Sequence, residues 1–501
     1  MKSMEEMIKA AQAAAETIQK QMTETQGKLD AMRLRSIESL GCCLAALTVG
    51  VLTMVACEPD SGSASAPPAP ATFDASTADS AAPETGADAA VVDACATGSQ
   101  PPAGISQVAP GVDVGKHTSM VLDDAGSPII AYQTDKGTND AAAISVSVVR
   151  WDAATCSWKA PIVVDTFGSQ TGNGRQIQLA VDRSNGTVGI AYQAIVGTFG
   201  VDEHYELRYA ELAKGAASFS KPFRVEDAKD NDHAPASPGL GLSNGKVFVA
   251  YREPYRLCNT SGCEAMVYRV RAAGGTWSGE AEIALGGAVD GNSSIAIDSD
   301  GNAALAWVEI LSAGGGGVTT KARLLRLSAD ADGGTATSSV IFENTDTTGT
   351  DFPWVEIAFD GKKPRAVVIL NQDASGLAAG KTEWFVASDD GVTWKTPVAL
   401  PHDHGSSLDL YASIAIGQGG KIAVASSSNA SDGTHTFGTP KILTSADGTT
   451  FAVGGPARAV YENGADWASA KIGADGKVQV AMHGHASTDA TKQGLIYFRE
   501  P

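Results

Sequence analysis

Two pairs of histidines, each with one residue between its members, are the residues of this sequence best suited to bind a metal ion. His402 and His404 form the first pair, and His483 and His485 form the second. In an extended segment, residues two positions apart lie on the same side, so both imidazoles of a pair can face one ion. The favoured interpretation is a set of polar loops rich in histidine, and the alternative is a divalent-metal site that would support metal-dependent binding or hydrolysis. No other cofactor is expected.

A second set of polar residues occurs at equivalent places in a sequence unit that is repeated along the chain. Where it occurs, the polar residue stands at the end of the second apolar segment of the copy. Side chains that occupy the same place in successive repeats of a closed ring converge toward its axis. Convergent polar groups at a concave opening are typical of ligand-binding sites. The sequence therefore predicts either a ligand-binding site or a hydrated channel lining at Gln133, Gln193, Arg252 with Glu253, Glu309, Asn371 and His483.

Seven copies of this unit follow one another along the chain. Each copy begins with an apolar strand, a turn rich in Gly, Asp and Asn, and a second apolar strand, as in SIAIDSDGNAALAWVE at 294–309. Equivalent residues of successive copies are 55 to 62 positions apart, a regularity that indicates internal repetition. These equivalent residues are Leu122, Val181, Leu242, Ile297, Phe359, Ile416 and Ile472.

The second half of each unit adds a strand, a turn and a further strand, with an aromatic residue just after the turn in five copies. Four strands per repeat are typical of a propeller blade, so the sequence predicts an all-β, seven-bladed β-propeller. The seventh copy ends at LIYFREP, before a fourth strand. Residues 105–111 are expected to supply that strand, because pairing the two chain ends closes the ring and removes an exposed edge.

The connections between strands differ in length on the two faces of the predicted ring. Connections from strand two to three and from strand four to the next blade share one face, here called the long-loop face. The hairpins from strand one to two and from three to four share the other, here called the hairpin face. All eight histidines fall in connections of the long-loop face. Long loops on a rigid scaffold commonly form binding sites, so the ligand site is expected there.

Two predicted turns between strands three and four share the pattern Ser-x-Asp-Gly-x-Thr-aromatic, at 388–394 and 445–451. They resemble the Asp-box, or BNR repeat, of sialidase-like propellers, although each is one residue shorter than the full family pattern. The resemblance implies a structural turn in which Ser and Asp side chains bind backbone amides and Gly has a positive φ. The aromatic residue is expected to pack between neighbouring sheets. Such turns indicate a fold and not an activity.

The same resemblance implies a glycoside hydrolase as one possible activity. A family arginine, tyrosine nucleophile and glutamate partner would correspond here to Arg252, Tyr251 and Glu253. The first family arginine lies in an F/Y-R-I-P motif near the start of the propeller, and that motif is absent; YREP at 251–254 and FREP at 498–501 only echo it. Sialidases of this family also have six blades. These departures favour a non-catalytic binding protein, with a sialidase-like hydrolase as the alternative.

Residues 32–57 are similar to a bacterial lipoprotein signal peptide. A basic start and an apolar segment precede Met-Val-Ala and then Cys57, although Met54 stands where Leu is usual. The resemblance implies lipidation of Cys57 and a location in the bacterial cell envelope, at the outer membrane or cell surface. The alternatives are a membrane anchor or a signal peptide cleaved elsewhere. Residues 1–31 are interpreted as a misassigned leader or an amphipathic helix.

A segment rich in Ala, Ser, Pro and Asp, residues 58–104, joins this signal to the propeller at 105–501. Its few apolar residues cannot offset the entropy of ordering, so a disordered linker is predicted. Cysteine pairing is consistent with an oxidising compartment. The predicted disulfides are a local bridge in one loop and a bridge from the linker to the first blade, namely Cys258–Cys263 and Cys95–Cys156.

The formal net charge of -20 excludes an important class of partner. Binding to nucleic acid depends on Lys and Arg neutralising phosphates, so an acidic chain is not expected to bind it. The sequence predicts a monomeric, membrane-anchored propeller whose ligand is a glycan, a peptide or another envelope protein.

Overall fold

The computed structural model describes the propeller part of the chain with gaps. Interpretations of residues 1–31, 32–57 and 58–99 lie outside the described residues and stay predictions. Within the described part of the chain, no helix is long and apolar enough to cross a membrane. The described ranges are 100–111, 114–134, 143–168, 177–196, 204–226, 236–254, 264–283, 287–312, 318–327, 338–346, 353–369, 383–401, 409–431, 436–454, 468–485 and 493–501.

These residues form seven antiparallel sheets of consecutive strands, which confirms the predicted seven-bladed β-propeller. The apolar, β-branched strands alternate with Gly-containing turns, as such a fold requires. The closing strand and the strands of blades one to three are β1 (Gly104–Pro110); β2 (Val114–Leu122), β3 (Pro128–Thr134), β4 (Ala143–Asp152), β5 (Ser157–Trp158) and β6 (Ile162–Gly168); β7 (Ile177–Asp182), β8 (Thr187–Val196), β9 (His204–Leu212) and β10 (Phe223–Arg224); β11 (Ala236–Ser243), β12 (Lys246–Pro254), β13 (Glu264–Arg271) and β14 (Ala281–Ile283).

Blades four to seven repeat the same order, with the innermost strand first. A single-turn 3₁₀ segment at Gln418–Gly420 interrupts one hairpin. The strands are β15 (Ala288–Ile297), β16 (Ala303–Ser312), β17 (Val318–Arg326) and β18 (Ser339–Asp346); β19 (Trp354–Asp360), β20 (Lys363–Ile369), β21 (Glu383–Ala387) and β22 (Val398–Ala399); β23 (Asp409–Ile416), β24 (Ile422–Ser431), β25 (Thr436–Ser445) and β26 (Ala452–Gly454); β27 (Ser469–Ile472), β28 (Val478–His485) and β29 (Gln493–Arg499).

The ring is closed by the strand predicted for this purpose. β1 pairs antiparallel with β29, from Gly104 opposite Arg499 to Pro110 opposite Gly494, and completes the sheet β1-β29-β28-β27. The seventh blade therefore takes its outermost strand from the start of the propeller and its other three from the end. This pairing confirms the closure by residues 105–111.

Hydrophobic clusters fill the spaces between adjacent blades. Successive side chains of a strand point to opposite faces, so each sheet buries one set against each neighbour. In the described residues, every pair of adjacent blades shares such a cluster, including the seventh and the first. The closing cluster joins Met120 and Ile130 of blade one to Leu495 and Tyr497 of blade seven. Packing as well as hydrogen bonding thus seals the ring.

The two turns with the Ser-x-Asp-Gly pattern have the predicted geometry. Ser388 Oγ accepts a hydrogen bond from Gly391 N at 2.8 Å, and Asp390 Oδ1 accepts from Thr393 N at 2.7 Å. These backbone hydrogen bonds lower the pKa of Asp390 to about 2. Gly391 has φ +78°, and Trp394 packs against the cluster between blades four and five. The turn at 445–451 repeats this arrangement.

Candidate functional site: the central channel

The first strands of all seven blades surround a cavity of about 300 Å³ on the axis of the ring. One residue position of the first strand is structurally equivalent in all seven blades. The strand pairing identifies it, because the residue at this position is always opposite Ala or Val of the second strand. Four of the seven residues at this position are serines. The full set is Ser119, Gln178, Gly239, Ser294, Glu356, Ser413 and Ser469.

Each of the four serines connects its own blade to the next one, so four of the seven junctions between blades have such a bond. Each serine oxygen accepts a hydrogen bond from a backbone N–H in the first strand of the following blade. The Ser469 bond crosses from the last blade to the first, so it also spans the ring closure. The pairs are Ser119 with Leu179 N at 3.0 Å, Ser294 with Ile357 N at 3.2 Å, Ser413 with Ala470 N at 3.1 Å and Ser469 with Met120 N at 3.0 Å.

Glu356 occupies the serine position in blade five and is the one carboxylate on the described wall of the cavity. Its Oε1 accepts a hydrogen bond from Ser413 Oγ at 3.2 Å. Burial is the largest effect on this group and raises its pKa to about 7, against the opposing influence of Lys471, Ser413 and the Ile414 amide. A carboxyl group with this pKa can accept or donate a hydrogen bond near neutral pH.

Two cations lie toward the hairpin face of the same cavity. Lys471 is the penultimate residue of β27, and Arg183 is in the turn between β7 and β8. Burial lowers the pKa of Lys471, the Glu356 carboxylate raises it and Arg183 lowers it further. Glu356, Lys471 and Arg183 thus come from blades five, seven and two and interact across the channel.

His117 lies on the wall in blade one, within an irregularity of β2 between Lys116 and Ser119. The residue is buried and has φ 52°, in the left-handed region. Such a conformation in a residue other than glycine costs about 1–3 kcal/mol and often occurs at functional sites. A strained, buried histidine beside a polar cavity is a further residue of interest for this site.

Four of the residues predicted to form a polar ring lie on second strands and are buried, one strand away from the cavity wall: Gln133, Gln193, Glu309 and His483. Glu309 Oε1 accepts a hydrogen bond from Gly287 N at 2.9 Å, and its Oε2 accepts from Arg323 Nε. The first strands, which lie closer to the axis, provide the described wall. Asn371 lies outside the described residues. A ligand-binding role for this set stays a prediction.

The predicted catalytic residues are adjacent on β12 but face different surroundings. Tyr251 is fully buried in the cluster between blades two and three, and its hydroxyl donates to Glu280 Oε1 at 2.6 Å. This burial strongly raises its pKa. Arg252 Nη1 contacts Val289 O of blade four at 3.5 Å, and Glu253 is buried. The tyrosine hydroxyl is therefore engaged inside the protein, and the catalytic role stays a prediction.

The predicted metal and disulfide sites are only partly within the described residues. His402 and His404 lie outside them, as does the side chain of His485; His483 is buried on β28. In the described ranges, no group of three or more His, Cys, Asp or Glu could hold a metal ion. Cys156 is disulfide-bonded. Its pairing with Cys95 stays a prediction, as do the roles of Cys57, Cys258 and Cys263, because these cysteines are not described.

Sequence reasoning missed the charged residues of the cavity. It selected residues by their chemical type in loops, whereas Glu356, Lys471 and Arg183 stand in or beside first strands that read as structural repeats. The available signal was a break in the repeat. Glu356 replaces serine, and Lys471 stands where the other six blades have Val121, Ala180, Gly241, Ala296, Ala358 and Ala415.

Comparison with known proteins adds likenesses at low identity. No family model matches the chain, and no curated protein matches it. A protein of unknown function from Dyadobacter fermentans is 11% identical, with 79% of this chain and 97% of that chain covered and a TM-score of 0.44. The α-L-arabinanase of Penicillium chrysogenum, complexed with arabinobiose, is 11% identical, with 79% of this chain and 97% of that chain covered and a TM-score of 0.43. The polysaccharide lyase Uly1 is 13% identical, with 78% of this chain and 90% of that chain covered and a TM-score of 0.46. No activity follows for this chain from likenesses at this level.

Proposed function

We propose that this chain is a lipid-anchored, monomeric β-propeller of the bacterial cell envelope that binds a glycan, without catalysis, on its long-loop face and in the channel that opens there. The observation that carries the proposal is the polar cavity on the axis, to which all seven blades contribute. The antiparallel order of the sheets supports it too, because every connection from strand two to three leaves on the same face.

The chemistry of the cavity wall suits a ligand rich in hydroxyl groups. Among the described residues, the hydroxyl groups of Ser119, Ser294 and Ser469 accept a backbone hydrogen bond and have no protein acceptor for their own hydrogen. Each can donate this hydrogen to a ligand in the channel. Gln178 can donate and accept, and Glu356 can bind a sugar hydroxyl strongly when it is ionised.

Binding without hydrolysis is favoured by the arrangement of acidic groups. Glycoside hydrolysis usually needs two carboxylates on opposite sides of the scissile bond. On the described wall of the cavity Glu356 is one such group, and the hydroxyl of Tyr251, the predicted nucleophile, is bonded to Glu280 in the core. A sialidase-like hydrolase remains the alternative outcome of the experiment below.

Screening the full-length chain on a glycan array is expected to identify a bound glycan. Glu356→Gln should weaken that binding by about tenfold, because a hydrogen bond to a charged acceptor becomes a neutral one. Glu343→Gln is the matched control, since Glu343 is 46% exposed on an outer strand and forms an ion pair with Lys321. The absence of any bound glycan would contradict the proposal. If the wild type hydrolyses a glycoside and Glu356→Gln does not, the chain is a hydrolase and not a binding protein. If the wild type binds a protein instead of a glycan, the proposed ligand class is wrong.

Lipid anchoring is tested by growing a bacterial host that expresses the full-length chain with a radiolabelled fatty acid. The wild type is expected to carry the label and to sediment with membranes. Cys57→Ala should lose both properties, because the thiol is the proposed site of acylation. Cys43→Ala, in the apolar segment of the same signal, is the control and should stay labelled. A labelled Cys57→Ala variant would contradict the assignment.

A further inference from the structure

Lys471 is placed where the fold itself does not require a charge. The equivalent positions in the other six blades are small or apolar, so packing of the ring is satisfied without an ammonium group. Placing a lysine in a partly dehydrated channel costs free energy, which its lowered pKa reflects. An unnecessary and costly charge in a cavity is a sign of a binding role.

Within the described ranges, the ammonium group of Lys471 has no hydrogen-bond or ion-pair partner. Among the described residues, no hydrogen bond and no carboxylate within 4.0 Å engages Lys471, although Glu356 and Arg183 interact with it at longer range. By contrast, Lys421 of the preceding blade makes 2.8 Å contacts to Gly476 O and to Glu500 Oε2. Glu356, the carboxylate that influences the pKa of Lys471, is itself hydrogen-bonded to Ser413. The positive charge is therefore available to a ligand.

Arg183 adds a second available cation at the same end of the cavity. Its side chain is exposed in the hairpin after β7, lines the cavity and has no hydrogen bond or ion pair to any residue that the structure describes. Two cations at the end of a channel with low-dielectric walls create a focused positive potential. Hydroxyl groups of Ser119 and Ser469 on the same wall can donate to a bound oxygen.

We infer that the hairpin-face end of the channel is an anion site, in which Lys471 and Arg183 bind a small ligand through its carboxylate or phosphate group. The cavity of about 300 Å³ is large enough for such a group and a few more atoms. The proposed glycan site extends from the long-loop face into the same channel, so the two sites share the hydroxyl groups of Ser119 and Ser469. Because phosphate and acetate are sufficient probes, this site can be tested whether or not the chain binds a glycan.

In the part of the chain that the structure describes, the titratable and charged groups that line the cavity are His117, Arg183, Glu356 and Lys471. As pH rises through about 7, Glu356 loses its proton and its negative charge opposes an incoming anion. Loss of positive charge from Lys471, whose pKa burial lowers, acts in the same direction. The site therefore binds anions more tightly at low pH, and linkage requires that a bound anion raises the pKa of Glu356.

Calorimetric titration of the full-length chain with phosphate, with acetate and with neutral acetamide tests the site. Phosphate or acetate should bind with a Kd of about 1 mM, and acetamide should not bind, because the attraction is to charge. Lys471→Met should weaken anion binding at least about tenfold, and Lys471→Arg should retain it. Preference for phosphate over acetate, or the reverse, identifies the chemical source of the anion.

Lys471→Met is expected to fold, since apolar residues occupy this position in other blades, and its melting temperature serves as the check. Lys395→Met, at a side chain that is 58% exposed, is the matched control and should bind like the wild type. In the wild type, the affinity for the anion should fall between about pH 6 and about pH 8, and in Glu356→Gln most of this decrease should be absent. Equal binding by wild type and Lys471→Met, equal binding of acetate and acetamide, or no binding of either anion would overturn the inference.

Discussion

Deletion of residues 104–110 from the full-length chain is expected to abolish cooperative folding of the propeller. Among the described strands, β1 alone pairs with the outer edge of β29, and its loss exposes a row of unpaired backbone groups. Ile105 and Val108 also pack against clusters at the two interfaces of blade seven. The lost burial and hydrogen bonds amount to more than about 5 kcal/mol, comparable with the whole stability of a typical domain.

The measurement is a thermal melt with size-exclusion chromatography before and after heating. Deletion of residues 62–68, of equal length and within the Ala- and Ser-rich segment, is the control and should melt like the wild type. The variant lacking β1 should show a broad or absent transition and form aggregates through its open edge. Two deletions with the same melting temperature would mean that the ring closes without β1.

Glu309→Ala is expected to reduce the free energy of unfolding by about 3 kcal/mol. Glu309 is fully buried, accepts a hydrogen bond from Gly287 N and forms an ion pair with Arg323, whose side chain is 21% exposed. Removing one member of a buried pair leaves the other charge without compensation, and this penalty exceeds the value of the pair itself. The residue that the sequence suggested as a ligand contact is thus expected to stabilise blade four.

Urea denaturation measures this loss, with Glu343→Ala as the control. Glu343 lies on β18, two strands away in the same blade, and pairs with Lys321 at 3.0 Å, but it is 46% exposed, so its removal should cost less than about 1 kcal/mol. A double variant, Glu309→Met with Arg323→Met, should recover much of the stability because no unpaired charge remains. If Glu309→Ala is as stable as Glu343→Ala but loses glycan binding, the residue contacts the ligand after all.

The fold was predictable because each repeat specifies its own strands and turns. The alternation around residues such as Ile295 and Leu305 defines two strands, and Gly301 with φ +86° marks the turn between them. The missing fourth strand of the last copy pointed directly to the closure by β1. These features are local or repeated, so they are visible along a single sequence.

The charged cavity was not predictable in the same way. Arg183, Glu356 and Lys471 are far apart in the sequence and meet only because a closed ring brings every first strand to one axis. Chemical type alone favoured the histidine loops and the polar second strands, yet Gln133 and Glu309 are buried one strand away from the axis. Which side of an inner strand faces the channel depends on the register with its neighbour, and this becomes known only from the pairing.

The pairing of β1 with β29 also fixes the face at which the chain enters the ring. Gly104 lies opposite Arg499, at the end of β29 that leads to the hairpin face. The chain therefore enters the ring from that side. Gly104 and Arg499 therefore lie together at the hairpin face, the same face on which the turn containing Arg183 lies.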